Sequence, residues 1–288
     1  MRINTAGGGA QPQSQQIEIM SAEATGNIFL PAATLWQREM VRFFRQRDRV
    51  MGALGTPLVF WLLLGSGLGK SFTTSTAPEG HGYLEYFFGG TIALVLLFTA
   101  IFSTISIIED RREGFLQGVL VAPVGRFALV LGKILGGTTL ALVQGLVFTA
   151  LAPLVGLKLS VDSVIWLVVV MFLLSFALTG LGFLIAWRMD STQGFHAIMN
   201  LFLIPLWLLS GAVFPATGAP AILRWAMVCN PVTYGVTAIR QGLYWSVPMA
   251  TAGMPSRAVN LGVTIAFAAV MFVWSLVAAQ RTTRGDLQ

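Results

Sequence analysis

Charged residues are scarce in this chain, and that scarcity excludes several classes of protein. Only 10% of the residues are Asp, Glu, Lys or Arg, whereas 55% are hydrophobic, and the mean hydropathy is +0.75. A soluble domain of 288 residues needs more polar surface than this composition supplies. The single cysteine, Cys229, excludes an internal disulfide and any multi-cysteine metal site. The two histidines, His81 and His196, lie too far apart in sequence to form a zinc-binding helical pair.

Nucleotide-binding and catalytic motifs are also missing. The segment GSGLGKS at 65–71 resembles a phosphate-binding loop, but that pattern requires glycine where this chain has Leu64. It also requires a preceding β-strand, whereas this segment ends a predicted membrane helix. We therefore predict that the chain has no catalytic residues, no metal and no cofactor of its own, and that it does not bind ATP through this segment.

Long apolar stretches are what the chain has in abundance. A hydrocarbon core of about 30 Å is crossed by roughly 20 residues of helix, and six stretches are long enough. Lys133 is the one formal charge within them, close enough to an end to extend toward the membrane boundary. The predicted membrane helices cover approximately 51–69, 86–108, 128–153, 163–187, 195–215 and 260–279. The sequence therefore predicts an all-α integral membrane protein with six transmembrane helices.

Lys and Arg residues are distributed unequally between the two predicted sides of the membrane. With the N-terminus inside, thirteen of them flank the cytoplasmic ends of the helices and five flank the outer ends. This bias matches the positive-inside rule and places both termini in the cytoplasm of a multi-pass protein of the plasma (inner) membrane. The net charge of +6 indicates contact with anionic membrane lipid and favours no nucleic acid partner.

Acidic residues are predicted to lie outside the spans. All twelve fall there, and none occurs between Asp190 and Asp286. Transporters driven by protons or sodium usually place Asp or Glu within their spans to carry the coupling ion. If this protein moves solute against a gradient, the sequence indicates that the energy comes from a cytoplasmic partner.

The predicted domain organisation is simple. Residues 1–31 are expected to form a disordered cytoplasmic tail, 32–283 the membrane domain, and 284–288 a short cytoplasmic C-terminal tail. Between Leu35 and Val50, apolar residues fall on one helical face and arginines on another. This pattern predicts an amphipathic helix in the inner membrane interface, with its arginines toward headgroups and cytosol; a plain solvated helix is the alternative.

Two more segments are predicted to be helical without crossing the membrane. After the second span, residues 109–123 carry dense charges of mixed sign and then an apolar run, which predicts a short amphipathic helix or, equally, an ordinary loop. Residues 216–259 contain two apolar stretches, Ala219–Cys229 and Val232–Trp245, that are too short to cross separately. Since Asn230 and Pro231 separate them, we predict a re-entrant helical hairpin in the outer leaflet.

At these segments the chain resembles the type-2 ABC exporter permeases. The sequence EDRREG at 109–114, an apolar run and Pro123 resemble the region between helices two and three of that family. LSGAVFP at 209–215 and NPVTYGVTAIR at 230–240 resemble its fifth helix and outer hairpin. The resemblance covers roughly residues 32–283, and it leaves the Gln- and Gly-rich tail unexplained.

The resemblance implies two six-helix subunits, as a homodimer or with a related permease, and cytoplasmic ATP-binding cassette ATPase subunits. It implies that the chain moves an amphiphilic drug, lipid or polysaccharide-like substrate outward. A coupling helix would contact the ATPase through Arg112, Glu113, Gly114, Phe115 and Leu116. Helices two and five would line the substrate path and dimer interface, with candidates Phe98, Phe102, Asn200 and Ser210. A non-transporting anchor for an ATPase, and a channel or scramblase, remain alternatives.

Overall fold

The computed structural model describes residues 29–45, 47–67, 83–122, 124–216, 219–247 and 254–281. The predictions made for the N-terminal tail before residue 29, Lys70, His81, Pro123 and the C-terminal tail concern positions outside these ranges. Within the described residues the regular secondary structure is entirely helical, as the all-α prediction requires.

Eleven α-helices follow one another along the described residues. In chain order they are α1 Phe29–Arg45, α2 Arg47–Gly67, α3 Tyr83–Ser103, α4 Ile105–Arg112, α5 Phe115–Val121, α6 Arg126–Thr149, α7 Val161–Ala186, α8 Thr192–Leu208, α9 Ala221–Cys229, α10 Pro231–Leu243 and α11 Arg257–Arg281. A 3₁₀ turn, Ala152–Val155, follows α6.

Helices α3, α6 and α7 form the centre of the bundle and pack against one another. Glycines allow their close approach, because a Cβ at Gly145 of α6 would lie 2.6 Å from Leu96 Cδ2 of α3. A Cβ at Gly182 of α7 would lie 2.8 Å from Thr104 Oγ1. Small residues at helix crossings are how membrane helices bring their backbones together. Around this centre, α1 packs on α6, α2 on α3, and α11 on α7.

Four helical segments of the described chain are long and apolar enough to cross a membrane: Tyr83–Arg112, Arg126–Thr149, Val161–Ala186 and Arg257–Arg281. They coincide with the second, third, fourth and sixth predicted spans. The first and fifth predicted spans correspond to α2 and to α8, which has 17 residues. Helix α8 stops at Leu208, earlier than the predicted 215, because the chain turns there and Gly211 adopts a left-handed φ of 76°.

The second span continues further than its apolar stretch. Helix α3 ends at Ser103 and α4 begins at Ile105, with a tight turn at Thr104, whose N–H donates to Ile101 O at 3.0 Å. Because α4 then runs to Arg112, the helical segment carries Asp110 into the interior of the protein. Asp110, two residues beyond the predicted span, is therefore buried within a helical segment long and apolar enough to cross a membrane, and the expectation that carboxylates lie outside the spans is wrong at this position.

The region after α8 contains two short helices separated at Asn230. Helix α9 ends at Cys229, and α10 begins at Pro231, where the Asn230 side chain caps it by accepting from Val232 N–H at 3.0 Å. Proline suits the first position of a helix because its missing N–H has no intrahelical partner there. Helix α10 packs against α7, α11 and α3, so it is α10 that attaches this pair of helices to the bundle.

Candidate functional site

Six charged side chains meet where α1 crosses α4 and α6. This ion cluster consists of three cations and three carboxylates: Arg38, Glu39, Arg42, Glu109, Asp110 and Lys133. Its members come from α1, α4 and α6, three helices separated by long stretches of sequence. The cluster therefore joins the N-terminal amphipathic helix to the cytoplasmic ends that the sequence predicts for two spans.

Asp110 lies at the centre of the ion cluster and is fully buried. Arg38 donates to it through Nη1 at 2.8 Å and Nη2 at 2.7 Å, which is the bidentate geometry of the stronger ion pairs. Arg42 donates to Asp110 Oδ1 at 2.9 Å and to Glu109 Oε2 at 2.7 Å. The hydrogen bond to Asp110 raises the pKa of the Arg38 guanidinium further above its ordinary value, so Arg38 stays charged.

Lys133 closes the ion cluster from α6. Its Nζ donates to Glu39 Oε1 at 2.5 Å, to Asp110 and to Ser106 Oγ at 3.3 Å. Only 6% of Lys133 is exposed, so the prediction that it extends toward the membrane boundary is wrong. A lysine buried this deeply requires carboxylate partners, since an unpaired buried charge costs several kcal/mol.

Two glycines of α6 explain why α1 can lie so close to it. A Cβ at Gly132 would be 2.7 Å from the backbone oxygen of Ala32, and a Cβ at Gly136 would be 2.9 Å from Glu39 Cβ. With glycine at both positions, α1 buries Leu35 and Phe43 as well as Glu39 against its neighbours. The arginines of α1 were predicted to point toward headgroups and cytosol. Arg38 and Arg42 instead face α4, where they bond Asp110 and Glu109, so the prediction is wrong for these two residues.

The ion cluster also contacts α5, the short helix predicted as the coupling helix. The guanidinium of Arg38 lies over the ring of Phe115, 3.7 Å from its centroid. Gly114 connects α4 to α5 with a φ of 76°, a left-handed conformation that favours glycine. A single arginine thus contacts both Asp110 at the end of the long helical segment and the first residue of α5.

The two arginines of the EDRREG motif hold the segment that follows α7. Arg111 donates to Trp187 O at 2.6 Å and to Met189 O at 3.1 Å, while Arg112 Nε donates to Asp190 O at 2.9 Å. These carbonyls lie just beyond a helix end, where the backbone lacks intrahelical donors. The arginine pair therefore fixes the α7–α8 connection beside α4 and α5.

The residues predicted to contact an ATPase are only partly exposed. Arg112, Glu113 and Gly114 are exposed and Phe115 is half-buried, but Leu116 is only 2% exposed and packs inside the protein. Sequence reasoning missed the rest of the outward face of α5, which is formed by Gln117, Gly118 and Val121. Val121 is 73% exposed, which makes it an apolar residue available to a partner. The sequence signal for these residues was the helical pattern after Gly114, which continues beyond Leu116 as far as Val121.

A cleft of about 610 Å³ lies along α1, next to the connection between α4 and α5. Its walls combine arginine, polar and apolar side chains: Thr34, Gln37, Arg38, Val41, Arg42, Arg45 and Glu113. The predicted contact residue Glu113 thus faces α1 across the cleft, and its Oε1 is 3.6 Å from Arg42 Nη2.

The four predicted substrate-path residues do not form one cluster. Phe98 and Phe102 of α3 are in ring contact at 5.5 Å, and the Phe102 ring lies 4.9 Å from the imidazole of His196 on α8. Asn200 is exposed on α8. Ser210 is buried after the end of that helix, where its Oγ donates to Trp207 O at 2.6 Å.

Phe98, Phe102 and α8 therefore form one face of the bundle, where α8 contacts only α3 and α4 closely. Leu201 and Phe202 of α8 are 69% and 62% exposed on that face. Across the described ranges, no group of three or more His, Cys, Asp or Glu residues is arranged to hold a metal ion.

Residues 32–244 match the sequence profile of the family described as ABC-2 type transporter. The match includes the ion cluster, α5 and most of the helices of the bundle.

Three similar proteins cover most of the chain. Ycf38 of Cyanophora paradoxa, which is named as a transport permease, is 25% identical over 208 residues, covering 72% of this chain and 71% of its own. Nodulation protein J of Rhizobium meliloti is 24% identical over 234 residues, covering 81% and 86%. The inner membrane transport permease YadH of Escherichia coli is 21% identical over 257 residues, covering 87% and 96%.

Proposed function

This chain belongs to the ABC-2 type transporter family, and from that premise we propose that it is the membrane subunit of an ATP-driven exporter. It is a multi-pass transport permease, and subunits of this kind are not catalytic themselves. The finer proposal is that it moves an amphiphilic drug, lipid or polysaccharide-like substrate outward. ATP hydrolysed by a separate cytoplasmic subunit provides the energy, and the chain binds no cofactor of its own.

Six transmembrane helices are part of this proposal. Helix α2 has 21 residues and α8 has 17, which is the lower end of what a membrane helix needs, roughly 17 to 25 residues. Helices α2 and α8 then serve as the first and fifth spans, and the α9–α10 hairpin enters the outer leaflet without crossing. The proposed membrane domain covers 32–283, between cytoplasmic tails at 1–31 and 284–288. The likeness to an inner membrane permease supports the plasma (inner) membrane as its location.

The observation that carries the proposal is the contact of the ion cluster with α5. Arg38 stacks on Phe115 of α5, so a force applied to the outward face of α5 would reach α1 through Arg38. Two hydrogen bonds join Arg38 to Asp110 of α4, so the same force would also reach α4. Because α4 and α3 form one helical segment, Tyr83–Arg112, a movement of α4 would extend to α3. This arrangement supports a role for α5 as the coupling helix, with Arg112, Glu113, Gly114 and Phe115 near the ATPase.

The structure also supports a revision of the predicted contact surface. Leu116 packs inward, so we propose that Gln117, Gly118 and Val121 complete the ATPase contact in its place. The cleft along α1, next to Glu113, offers space for a side chain of the partner. Its arginine-lined wall favours an acidic or polar group there.

The exposed apolar face of α8 supports the proposed substrate path and subunit pairing. Leu201 and Phe202 project from a helix that packs against only one side of the bundle. We propose that a second copy, or a related permease, packs on α8, with Phe98, Phe102, Asn200 and Ser210 near the path between them. Membrane lipid covers the remaining apolar surface.

Co-purification from membranes tests this function. The tagged chain, expressed with a candidate ATP-binding cassette protein from the same organism, should bring that protein down and support nucleotide-dependent substrate movement in vesicles. An anchor would bring down the ATPase without transport, and a channel or scramblase would move substrate without nucleotide. Either result would overturn the exporter proposal.

A further inference from the structure

In the chain after α8, backbone carbonyls that lack intrahelical donors accept hydrogen bonds from side chains. The last carbonyls of any helix lack intrahelical donors, and in a membrane bundle they cannot rely on water. Here α8 ends at Leu208 and the chain turns through Gly211, whose φ of 76° redirects it. Each carbonyl in this turn therefore needs a donor from a neighbouring element.

Three consecutive carbonyls receive those donors from three side chains. Tyr86 OH donates to Gly211 O at 3.1 Å, Arg240 Nη2 to Ala212 O at 3.1 Å, and Tyr83 OH to Val213 O at 3.1 Å. We name residues 211–213 the carbonyl strap. Two of its donors come from the first turn of α3 and one from α10, so the strap ties three elements together.

The strap also lies directly against the backbone of α3. A Cβ at Gly90 would be 2.2 Å from Ala212 O, so only glycine permits this approach. Trp207, at the end of α8, donates its Nε1–H to Gly90 O at 2.9 Å. Helix α8 is thus closed onto α3 over its last turn, and the side chains of this closure are buried.

Arg240 is the charged donor among the three side chains that bond the carbonyl strap. It is only 5% exposed, and its guanidinium lies 3.9 Å from the centroid of the Tyr86 ring. A cation over an aromatic face gains stability that increases when water is excluded. Because Tyr86 both stacks on Arg240 and donates to Gly211, the two residues hold adjacent carbonyls as a unit.

The strap and the ion cluster lie at opposite ends of one helical segment. Tyr83 begins the segment and Asp110 lies near its end, so at 1.5 Å per residue the two are about 40 Å apart. That distance is comparable to a bilayer thickness. A shift of α4 at the ion cluster therefore moves the strap donors Tyr83 and Tyr86 relative to α8.

We propose that Tyr83, Tyr86 and Arg240 are gating residues for transport: their bonds to the carbonyl strap hold the end of α8 against α3 and keep the outer end of this helix contact closed. This inference rests on the proposed exporter function. When α3 moves away from α8, the carbonyls of Gly211 and Val213 lose their tyrosine donors and take water from the outer side, and Arg240 loses the Tyr86 ring that covers it. When α3 returns, the two tyrosine bonds re-form and exclude that water, so the gate has two defined states.

The test measures whether a water-soluble reagent on the outer side can reach a cysteine placed in the closed contact between α3 and α8. Leu203, on α8 one turn before Trp207, is 1% exposed and is suited to a reporter, Leu203→Cys, in a Cys229→Ala background. Cells expressing this full chain with its ATPase are treated with a membrane-impermeant maleimide, without transported substrate. The double variant Tyr83→Phe plus Tyr86→Phe removes two hydroxyl donors and keeps both rings.

We expect the double variant to label on the order of tenfold faster than the reporter protein with both tyrosines, since each hydrogen bond contributes modestly to the closed state. Tyr234→Phe is the matched control, because its hydroxyl donates to Val228 O at 3.0 Å within the α9–α10 hairpin and not to the strap. It should leave the labelling rate unchanged. Equal labelling of the double variant and this control, whether both slow or both fast, would overturn the gate.

A second variant keeps the test decisive if the double variant does not reach the membrane. Arg240→Lys keeps the charge but loses the planar fork that reaches Ala212 O beneath Tyr86. It should increase labelling severalfold, and an unchanged rate in correctly inserted protein would contradict the proposal. Labelling needs no transport, so its failure leaves the exporter function standing if the ATPase still co-purifies. Loss of ATPase association would instead overturn the exporter function while the labelling rates still report on the strap.

Discussion

Arg38 of α1 donates two parallel hydrogen bonds, at 2.8 and 2.7 Å, to the buried carboxylate of Asp110, which lies 72 residues further along the chain. Arg38 also covers the Phe115 ring on the other side of its guanidinium. This pairing joins a helix outside the bundle to the end of a membrane helix and to the start of α5. In the proposed function, this is the contact through which a movement of α5 would reach α1.

Removing the charge of Asp110 should destabilise the protein strongly. Asp110→Asn keeps the side-chain shape but leaves Arg38 and Lys133 with an excess of buried positive charge. Breaking a buried ion pair in this way typically costs about 3–5 kcal/mol, to be measured as a lower unfolding temperature in detergent.

Glu113→Gln is the control for that experiment. Glu113 is 60% exposed at its side chain and lies 3.6 Å from Arg42, so its loss should cost under about 1 kcal/mol. Similar unfolding temperatures for Asp110→Asn and Glu113→Gln would show that the ion cluster contributes little to the fold.

Gly132→Ala should separate α1 from α6. The new methyl group would lie 2.7 Å from the Ala32 backbone oxygen, and backbone cannot move aside as a side-chain end can. Overpacking of this kind costs roughly 1–3 kcal/mol and should lower the unfolding temperature.

Gly262→Ala, in helix α11, makes the same chemical change where no atom lies within 4 Å of the new group. Because alanine favours helix over glycine, this control should be neutral or stabilising by up to about 1 kcal/mol. If Gly132→Ala is as well tolerated, close packing of α1 on α6 is not required.

Val121→Asp should weaken ATPase association without harming the fold. Val121 is exposed on α5, so a carboxylate there meets water in the isolated chain and an apolar contact in the proposed complex. Pull-down of the ATPase should fall by tenfold or more, as expected when an interface contact worth about 1.4 kcal/mol or more is lost. Membrane abundance should stay normal.

Leu116→Ala should give the opposite pattern. Since Leu116 is buried within the permease, its truncation should cost about 2–5 kcal/mol of stability and lower membrane abundance. The ATPase bound per permease molecule should change little. A specific loss of association with normal stability would restore Leu116 to the contact surface.

Membrane topology provides an independent check on six spans. Reporter fusions after Gln288 and within 188–194 should indicate cytoplasm, and fusions near Pro78 and Ser256 should indicate the outside, as the basic residues predict. A cytoplasmic signal at Ser256 would require the α9–α10 hairpin to cross, and the six-span proposal would fail.

The sequence was sufficient to predict the helices, because hydrophobic length and helix-ending residues are local properties. The division at Asn230 and Pro231 and the short helix after Gly114 could be located in the same way. The pairing of charged side chains that lie far apart in the sequence could not be predicted in this way. Nothing near Asp110 indicates that its partners are Arg38 and Lys133, so the apolar stretch was expected to end before it.

The candidate site was predictable in position but not in orientation. Spacing places Phe115 and Leu116 on a helix, yet seven residues are too few to show which side faces the protein. The roles of Tyr83 and Tyr86 were hidden for a different reason. Hydroxyl donors to backbone carbonyls leave no sequence pattern, and the position of Gly211 depends on where α8 ends.

The equal numbers of cations and carboxylates in the ion cluster have an electrical consequence. The transmembrane potential does work on a moving charge of about 2.3 kcal/mol per elementary charge for each 100 mV. Arg38, Arg42 and Lys133 are balanced by Glu39, Glu109 and Asp110, so the six groups moving together carry no net charge. Voltage would therefore do no net work on a displacement of these six groups; Glu113, 3.6 Å from Arg42, is a further carboxylate in contact with them, but its side chain is 60% exposed to solvent. In the proposed mechanism, the energised membrane would neither drive nor resist the movement of the buried core of this cluster.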